Sequence, residues 1–315
     1  MMTAPDPQLF ETVACLLCGG RANLPLVEAE DDLTGKPGRF RFVTCSACGL
    51  AYQNPRLKPE HIAAYYDDEY IAHRKKTDWG LLTPLYEWAM GKHDRDKLAL
   101  VRRFVDLGPG TRILDVGCGA GTFLAHAQAQ TGATAVAVDF KNLAHLPWMK
   151  AIEFHHGQLP AQDFQGCRFD LVTMWHFLEH DYEPLRTLAC ARDLLADRGR
   201  MVIEVPRLDS LSYRLFRERW PGLQAPQHTA LYTRETLLRT AQQAGLRVVA
   251  YLPYGAFPPY FYLFTGVAFK MLKGRGLNLS KAIYPYFIGQ ALLAPLLVFQ
   301  RHLNLAMQTV VCEPE

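Results

Sequence analysis

An α/β fold is what this sequence predicts, on three observations. Short apolar runs alternate with helical segments from about residue 106 onward, the pattern of strands and crossover helices. The first of these runs, Ile113-Leu-Asp-Val116, leads into Gly117-Cys-Gly119-Ala-Gly121 and then Thr122-Phe-Leu-Ala125. That is a strand, a tight turn and a helix start, which together present backbone N–H groups to a ligand. Two C-x-x-C-G pairs lie well before this region and predict a small metal-bound unit ahead of the α/β part.

The Gly-rich turn narrows the ligand. Its spacing is G-x-G-x-G, whereas the dinucleotide fingerprint is G-x-G-x-x-G and would need a small residue at Thr122. Asp115, two residues before Gly117, would repel a pyrophosphate and attract an ammonium group. S-adenosylmethionine (SAM) carries such a group, with a sulfonium and a ribose. The next apolar run, Ala133–Val138, ends in Asp139-Phe140. A carboxylate at the tip of a second strand is placed to accept both ribose hydroxyls.

On these residues, about 106–253 resembles a class I SAM-dependent methyltransferase, which implies a Rossmann-like seven-stranded mixed sheet. Its strand 3 falls at Ile152–His155, followed by Gln158 and Leu159, where the family lays the adenine. Gln158 departs from the Asp common there, although its carbonyl can still accept. Strand 4 is Phe169–Met174, and the following Trp175-His176-Phe-Leu-Glu179-His180 is similar to the H-x-L-E-H run of small-molecule methyltransferases. The resemblance implies that Trp175 and His176 line the cofactor. A helix is expected from Pro184, whose missing N–H costs nothing there, to about Ala196. Strand 5 is Arg200–Val205. A helix capped by Thr233 and stopped by Gly245 leads into strand 6, Arg247–Tyr254.

Cys15-Leu-Leu-Cys18-Gly and Cys45-Ser-Ala-Cys48-Gly, with 26 residues between them, suit a tetrahedral four-thiolate zinc site. A turn at Thr34–Gly38 and the alternating Arg39–Thr44 complete a zinc ribbon over residues 1–60. With all four positions filled by Cys, the zinc is expected to be structural. So small a unit cannot build an adequate core alone, and the metal should supply much of its stability. The continuation to Asn54-Pro-Arg56 and Tyr65-Tyr66 resembles a bacterial methyltransferase subgroup with this ribbon, some of whose members modify sugars and others quinones or lipids. Residues 61–105 read as a helical linker or lid, with Tyr65, Tyr66 and Tyr70 either over the acceptor or packing the linker onto the core, and 106–315 as the SAM-binding domain.

The chain has 315 residues and a net charge of +3, too balanced to call for a polyanion. Residues 1–60 carry six Lys/Arg against seven Asp/Glu, so the attraction to phosphates that drives nucleic-acid binding is absent there. No nucleic-acid partner is expected. The N-terminus lacks a basic-then-apolar signal, and paired C-x-x-C motifs suit a reducing compartment, so a cytoplasmic protein is expected. Cys118, Cys167, Cys190 and Cys312 have no sequence partners and read as small apolar residues.

Residues 255–302 read as a hydrophobic helical insertion before the last strand, Ala306–Cys312. No acidic residue occurs from Thr236 to Cys312, while Lys270, Lys273, Arg275 and Lys281 lie in or beside its loop. A helix over 259–272 would rise only about 21 Å, short of a roughly 30 Å bilayer core, and Pro285 and Pro295 should interrupt the second apolar stretch. The segment is expected to pack as part of the substrate wall or a homodimer contact. The alternatives are a hairpin on the inner face of an anionic membrane and, least favoured by these lengths, a true membrane span.

Methyl transfer from SAM needs an acceptor held in line with the methyl and sulfur. A hydroxyl or carbon acid also needs a base, and His is suited to that near neutral pH. His180, after strand 4, and His228, in a loop rimmed by Trp220 and Tyr232, are the candidate catalytic residues. Phe257-Pro-Pro-Tyr260 looks like the motif of amino-group methyltransferases, falls after strand 6 instead of strand 4, and is read as a decoy. The reading is a SAM-dependent methyltransferase acting on a small molecule, a sugar or a hydrophobic hydroxylated metabolite. An RNA methyltransferase and a non-catalytic SAM-binding scaffold are the alternatives.

Overall fold

A computed structural model describes residues 6, 8–66, 83–277, 279–297, 299 and 302–315. The N-terminal part contributes β1 (Phe10–Glu11), β2 (Asn23–Ala29), β3 (Phe40–Cys45), β4 (Ala51–Gln53), β5 (Arg56–Leu57) and the short α1 (Pro59–Ile62). Then follow α2 (Thr83–Val101), β6 (Arg112–Val116), α3 (Thr122–Thr131), β7 (Thr134–Asp139), β8 (Glu153–His156), β9 (Phe169–Trp175) and α4 (Pro184–Asp193). The chain continues through β10 (Leu195–Pro206), α5 (Leu211–Phe216), β11 (Ala230–Leu231), α6 (Arg234–Gln243) and β12 (Leu246–Leu252). It ends with α7 (Pro259–Leu272), α8 (Leu279–Leu297) and β13 (Met307–Pro314).

The main sheet has the order β12-β13-β10-β9-β6-β7-β8. β13 is antiparallel to both neighbours, and the pairs from β10 to β8 are parallel. This is the seven-stranded mixed sheet of the class I methyltransferases. The chain leaves β6 for β7 on one side and returns to β9 on the other, so the crevice beyond Val116 is the topological switch point where such sheets bind ligands. The central strands are apolar on both faces because helices cover both; Ile113, Leu114, Val172 and Ile203 are fully buried. Thr233 caps α6 through a bond from the Thr236 N–H, and the Thr236 hydroxyl accepts from the Thr233 N–H in return, as expected.

Two sequence expectations need correction. α4 stops at Asp193, not near Ala196, because Leu195 already pairs with Phe169 in the sheet. α8 runs through both Pro285 and Pro295. Each proline removes one intrahelical hydrogen bond, and packing on α7 holds the helix, with Tyr286 ringed by Tyr260 and Phe264 at centroid distances of 5.2 and 5.4 Å. Among the described residues no helix is long and apolar enough to cross a membrane.

The ribbon does not stand apart. β2, β3 and β4 form an antiparallel sheet whose fourth strand is β11, from the segment after β10, with Ala230 opposite Tyr52 and Leu231 opposite Ala51. Cys15, Cys45, Cys48, Leu50 and Tyr52 share one apolar cluster with Leu178, Leu237, Ala241 and Val310. A unit too small for its own core has joined a larger one.

Candidate active site

The candidate cofactor side lies at the ends of β6 and β7. Gly117 and Gly121 have φ of +73° and +68°, a region costly for any residue with a Cβ. A Cβ at Gly117 would also collide with the Phe177 ring, and one at Gly121 with Met149 Sδ. Both glycines are thus fixed by protein neighbours as well as by the turn, which the motif alone did not reveal. The Gly119 N–H donates to Asp139 Oδ2 at 2.8 Å and the Lys141 N–H to Oδ1 at 2.9 Å. Asp139 is thereby oriented at the tip of β7, with one backbone donor on each oxygen and further lone pairs for a ligand. Burial raises its pKa.

Asp115 is buried at the end of β6 and accepts from the Thr173 hydroxyl at 2.6 Å. Desolvation raises its pKa to about 7, more than the Thr173 hydrogen bond lowers it. Phe140 is 47% exposed beside the cleft. Gln158 is exposed after β8, and the Leu159 side chain lies in the core. Trp175 is buried edge-on against Phe123 at 5.4 Å, with Lys97 Nζ 5.1 Å from its ring centre.

Beyond β9 the chain turns sharply at His176, whose φ is +55°. Its Nε2 lies 3.3 Å from Glu204 Oε1 and its ring 4.9 Å from Phe257. Glu204 is fully buried and accepts from the N–H groups of Ala256 and Phe257 at 2.7 and 3.1 Å. Burial alone would raise its pKa; His176 and these two N–H groups outweigh that and lower it. Phe257 also packs on His93 at 5.3 Å, beside the His176–Glu204 pair. Sequence reading missed Glu204 and His93. The signal for Glu204 was a carboxylate in the middle of the apolar run Met201–Val205.

His180 and His228, 48 residues apart in sequence, come together with ring centroids 4.4 Å apart. His228 is buried, its Nδ1 lies 2.8 Å from the Gly222 carbonyl, and desolvation holds its pKa well below the usual value. A neutral ring donating from Nδ1 keeps a lone pair on Nε2. His180 Nδ1 lies 2.8 Å from the Tyr66 hydroxyl and 3.1 Å from the Gln227 carbonyl. Tyr66 also packs edge-on against Phe140 at 5.1 Å, joining the cofactor side to the two histidines. Tyr65 turns away onto Phe40, and Tyr70 lies outside the described residues. Trp220 and Tyr232 do not rim the loop: both are core residues, and Trp220 Nε1 donates to Ser212 Oγ at 2.9 Å.

The ribbon holds the segment that carries His228. Gln53 Nε2 donates to the carbonyls of Pro226 and His228 at 2.8 and 2.5 Å, and its N–H donates to the Thr229 carbonyl at 2.9 Å. Arg56 reaches the Tyr182 carbonyl at 3.1 Å, and Gln243 on α6 donates to the Leu17 carbonyl at 2.8 Å. Gln53 stands in the Tyr-Gln-Asn-Pro stretch of the sequence, where nothing marks its reach.

The four ribbon thiols converge. The sulfurs of Cys15 and Cys48 are 3.4 Å apart, those of Cys18 and Cys45 are 3.5 Å apart, and all four lie within 4.8 Å of one another. Tetrahedral zinc–thiolate bonds of about 2.3 Å would place sulfurs about 3.8 Å apart, so the cluster fits that ion. The Gly19 and Gly49 N–H groups return to the carbonyls of Cys15 and Cys45 at 2.9 and 3.0 Å, two matching turns. Burial raises the Cys15 and Cys48 thiols; at Cys45 burial also acts to raise the pKa, and the N–H groups of Ala47 and Cys48 with the Cys18 and Cys15 thiols outweigh it, lowering the thiol to about 7.

A family model described as a methyltransferase domain matches residues 90–251, just over half of the chain. Among curated proteins, the chain is similar to the ubiquinone biosynthesis O-methyltransferase of Dinoroseobacter shibae, at 30% identity over 153 residues covering 44% of this chain and 61% of that protein. It is similar to the protein of the same description from Ruegeria pomeroyi, at 29% identity over 173 residues covering 50% and 67%. The chain thus spans about three fifths of the length of the first of these relatives. Among solved structures it is similar to 1,6-didemethyltoxoflavin-N1-methyltransferase of Burkholderia thailandensis, at 15% identity over 85% of this chain and 97% of that one, with a TM-score of 0.48.

Proposed function

We propose, from the premise that the chain belongs to the methyltransferase-domain family and carries a class I SAM-dependent methyltransferase fold, that it methylates a hydroxyl of a hydrophobic small molecule. The observation that carries this reading is the pairing of His180 with His228 at 4.4 Å, linked through Tyr66 to the cofactor cleft. O-methylation of a neutral hydroxyl requires removal of its proton as the oxygen attacks the methyl carbon. The C–S bond breaks at the same time and its electrons stay on sulfur as a thioether, which needs no acid. Two imidazoles beside the cleft suit the acceptor half of this reaction. The likeness to O-methyltransferases of ubiquinone biosynthesis favours a hydrophobic hydroxylated acceptor over a sugar.

In this reading Asp139 holds the ribose, Asp115 and the Gly117–Gly121 turn meet the amino-acid tail, and Phe140, Gln158, Leu159, Trp175 and His176 border the remainder of SAM. Cys15, Cys18, Cys45 and Cys48 hold a structural zinc. The test is labelled SAM with three acceptor sets: a prenylated hydroxybenzenoid, nucleotide sugars and total RNA. Label in the hydroxybenzenoid, lost in His228→Ala with SAM affinity retained, is the expected result. Label in sugars or RNA alone would overturn the acceptor class.

A second reading concerns α5, α7 and α8, which each expose large apolar residues one helical turn apart: Leu211 and Leu215, Val267 and Met271, then Tyr284, Ile288 and Leu292. Lys270 and Lys273 stand among them, with no acidic residue from Thr236 to Cys312. This supports docking on an anionic lipid surface, which would bring a lipid-soluble acceptor to the cleft. Flotation with phosphatidylglycerol vesicles, weakened by Ile288→Glu, is expected; a stable dimer in solution with no flotation would assign the face to self-association.

A further inference from the structure

Glu179 lies in the short turn after β9 with its side chain 1% exposed. Its main-chain carbonyl is well used, accepting from the Thr229 N–H at 2.7 Å and the Thr229 hydroxyl at 3.2 Å. Neither carboxylate oxygen has a hydrogen-bond partner, and the His176 Nδ1 stands 3.8 Å from Oε1, beyond hydrogen-bond reach. A buried carboxylate left so is costly, and protonation alone would still leave an O–H without an acceptor. Beside it are the His180 and His228 rings, and one ligating atom from each of the three residues lies within 4.8 Å of the others. Each imidazole has its Nδ1 engaged by main-chain carbonyls, Gly222 for His228 and Gln227 for His180, with Tyr66 also on the latter. Fixing one ring nitrogen on a carbonyl so that the other offers its lone pair is how proteins orient metal-binding histidines.

We propose that Glu179, His180 and His228 bind a divalent transition-metal ion at the acceptor side, separate from the ribbon zinc. Two imidazoles and one carboxylate suit zinc, manganese or iron(II) and leave open coordination positions; magnesium, which requires oxygen ligands, is disfavoured. The inference rests on the reading that His180 and His228 meet the acceptor. An acceptor hydroxyl taking an open position would have its pKa lowered, as metal-bound water does. Its proton leaves to solvent, the oxyanion forms the O–C bond, the C–S bond breaks, and no redox change occurs. The ion thus ionises the hydroxyl, and the two histidines act by holding it.

The test is cobalt(II) titration of the full chain, followed by absorption spectroscopy. The ribbon gives an intense thiolate-to-cobalt charge-transfer band at one equivalent. A second equivalent, adding only weak d–d absorption, is expected. Glu179→Gln and His228→Ala should each weaken that second binding by more than about 10²-fold, above the 10–100-fold typical of lost supporting contacts, with the charge-transfer band intact as evidence of a folded ribbon. A single equivalent in the unmodified protein overturns the metal site. Turnover of a hydroxylated acceptor unchanged in His228→Ala would instead overturn the acceptor-side reading, whatever the cobalt count.

Discussion

Replacing Gln53 tests whether the ribbon shapes the acceptor site. Its carboxamide nitrogen serves two buried carbonyls, of Pro226 and His228. In Gln53→Ala both lose their donor, and each unpartnered buried group costs about 1–3 kcal/mol, so a loss of roughly 2–6 kcal/mol is expected. At about 2–4 °C per kcal/mol for a domain of this order, the melting temperature should fall by roughly 4–24 °C. Gln53→Glu is the sharper variant, because it keeps the shape and removes the donor; an ionised carboxylate would face two carbonyl oxygens. Both variants should lower acceptor turnover, since the backbone bearing His228 loses its tether. SAM affinity, measured by calorimetry, should stay within about twofold, because Asp139 is held by Gly119 and Lys141. Stability of Gln53→Glu within about 0.5 kcal/mol of the parent would refute the hydrogen-bond reasoning. A parallel loss of SAM affinity would show that the ribbon acts on the whole domain instead.

Other outcomes follow from the same geometry. Asp139→Ala should weaken SAM binding by roughly 1–3 kcal/mol, the scale of hydrogen bonds to a charged group; unchanged affinity by calorimetry removes the ribose assignment. One zinc per chain should be lost in Cys45→Ser, and thermal unfolding should lose stability as one transition because the ribbon shares its apolar cluster with the SAM domain; a separate low-temperature transition would contradict the shared core. Asp115 keeps its proton in the folded state to about pH 7, whereas the unfolded carboxyl ionises near 3.8. The folded state therefore binds more protons between these values, and stability of the SAM-free protein should fall as pH rises from about 4 to 7. An ammonium beside Asp115 favours the ionised form, so SAM binding near pH 6 should release a proton. Asp115→Asn retaining the same proton release would refute that.

Most strands of the main sheet were legible as short apolar runs, β6 and β7 most clearly because Gly117 and Asp139 close them, and the Gly117–Gly121 turn with Asp115 and Asp139 stands out in the sequence as a candidate cofactor cleft. Thr233 was readable as a cap because it opens an amphipathic helix. What was illegible depended on distance along the chain. The two residues of β11 carry no periodicity, and nothing local says that they pair with Ala51 and Tyr52. Gln53 looks like an ordinary loop amide, and its importance arises from carbonyls more than 170 positions away. Pro285 and Pro295 were misread because local rules break helices at proline, whereas packing against α7 sustains this one. His180 and His228 could be singled out individually, but their contact and the gathering of Glu179 beside them are products of the tertiary fold.

The partnership of β4 with β11 also bears on how the chain is made. Ala51 and Tyr52 leave the ribosome about 180 residues before Leu231 and Ala230 do. At roughly 5–20 residues per second, the N-terminal sheet waits about 10–35 s for its last strand. During that interval the exposed edge of β4 is open to other strands, and the pocket for His228 does not exist. Early metal capture by the four thiols would protect the waiting sheet, so zinc supply during synthesis should govern the yield of properly assembled protein. Transplanting the ribbon onto another methyltransferase would likewise have to bring residues 220–232 with it.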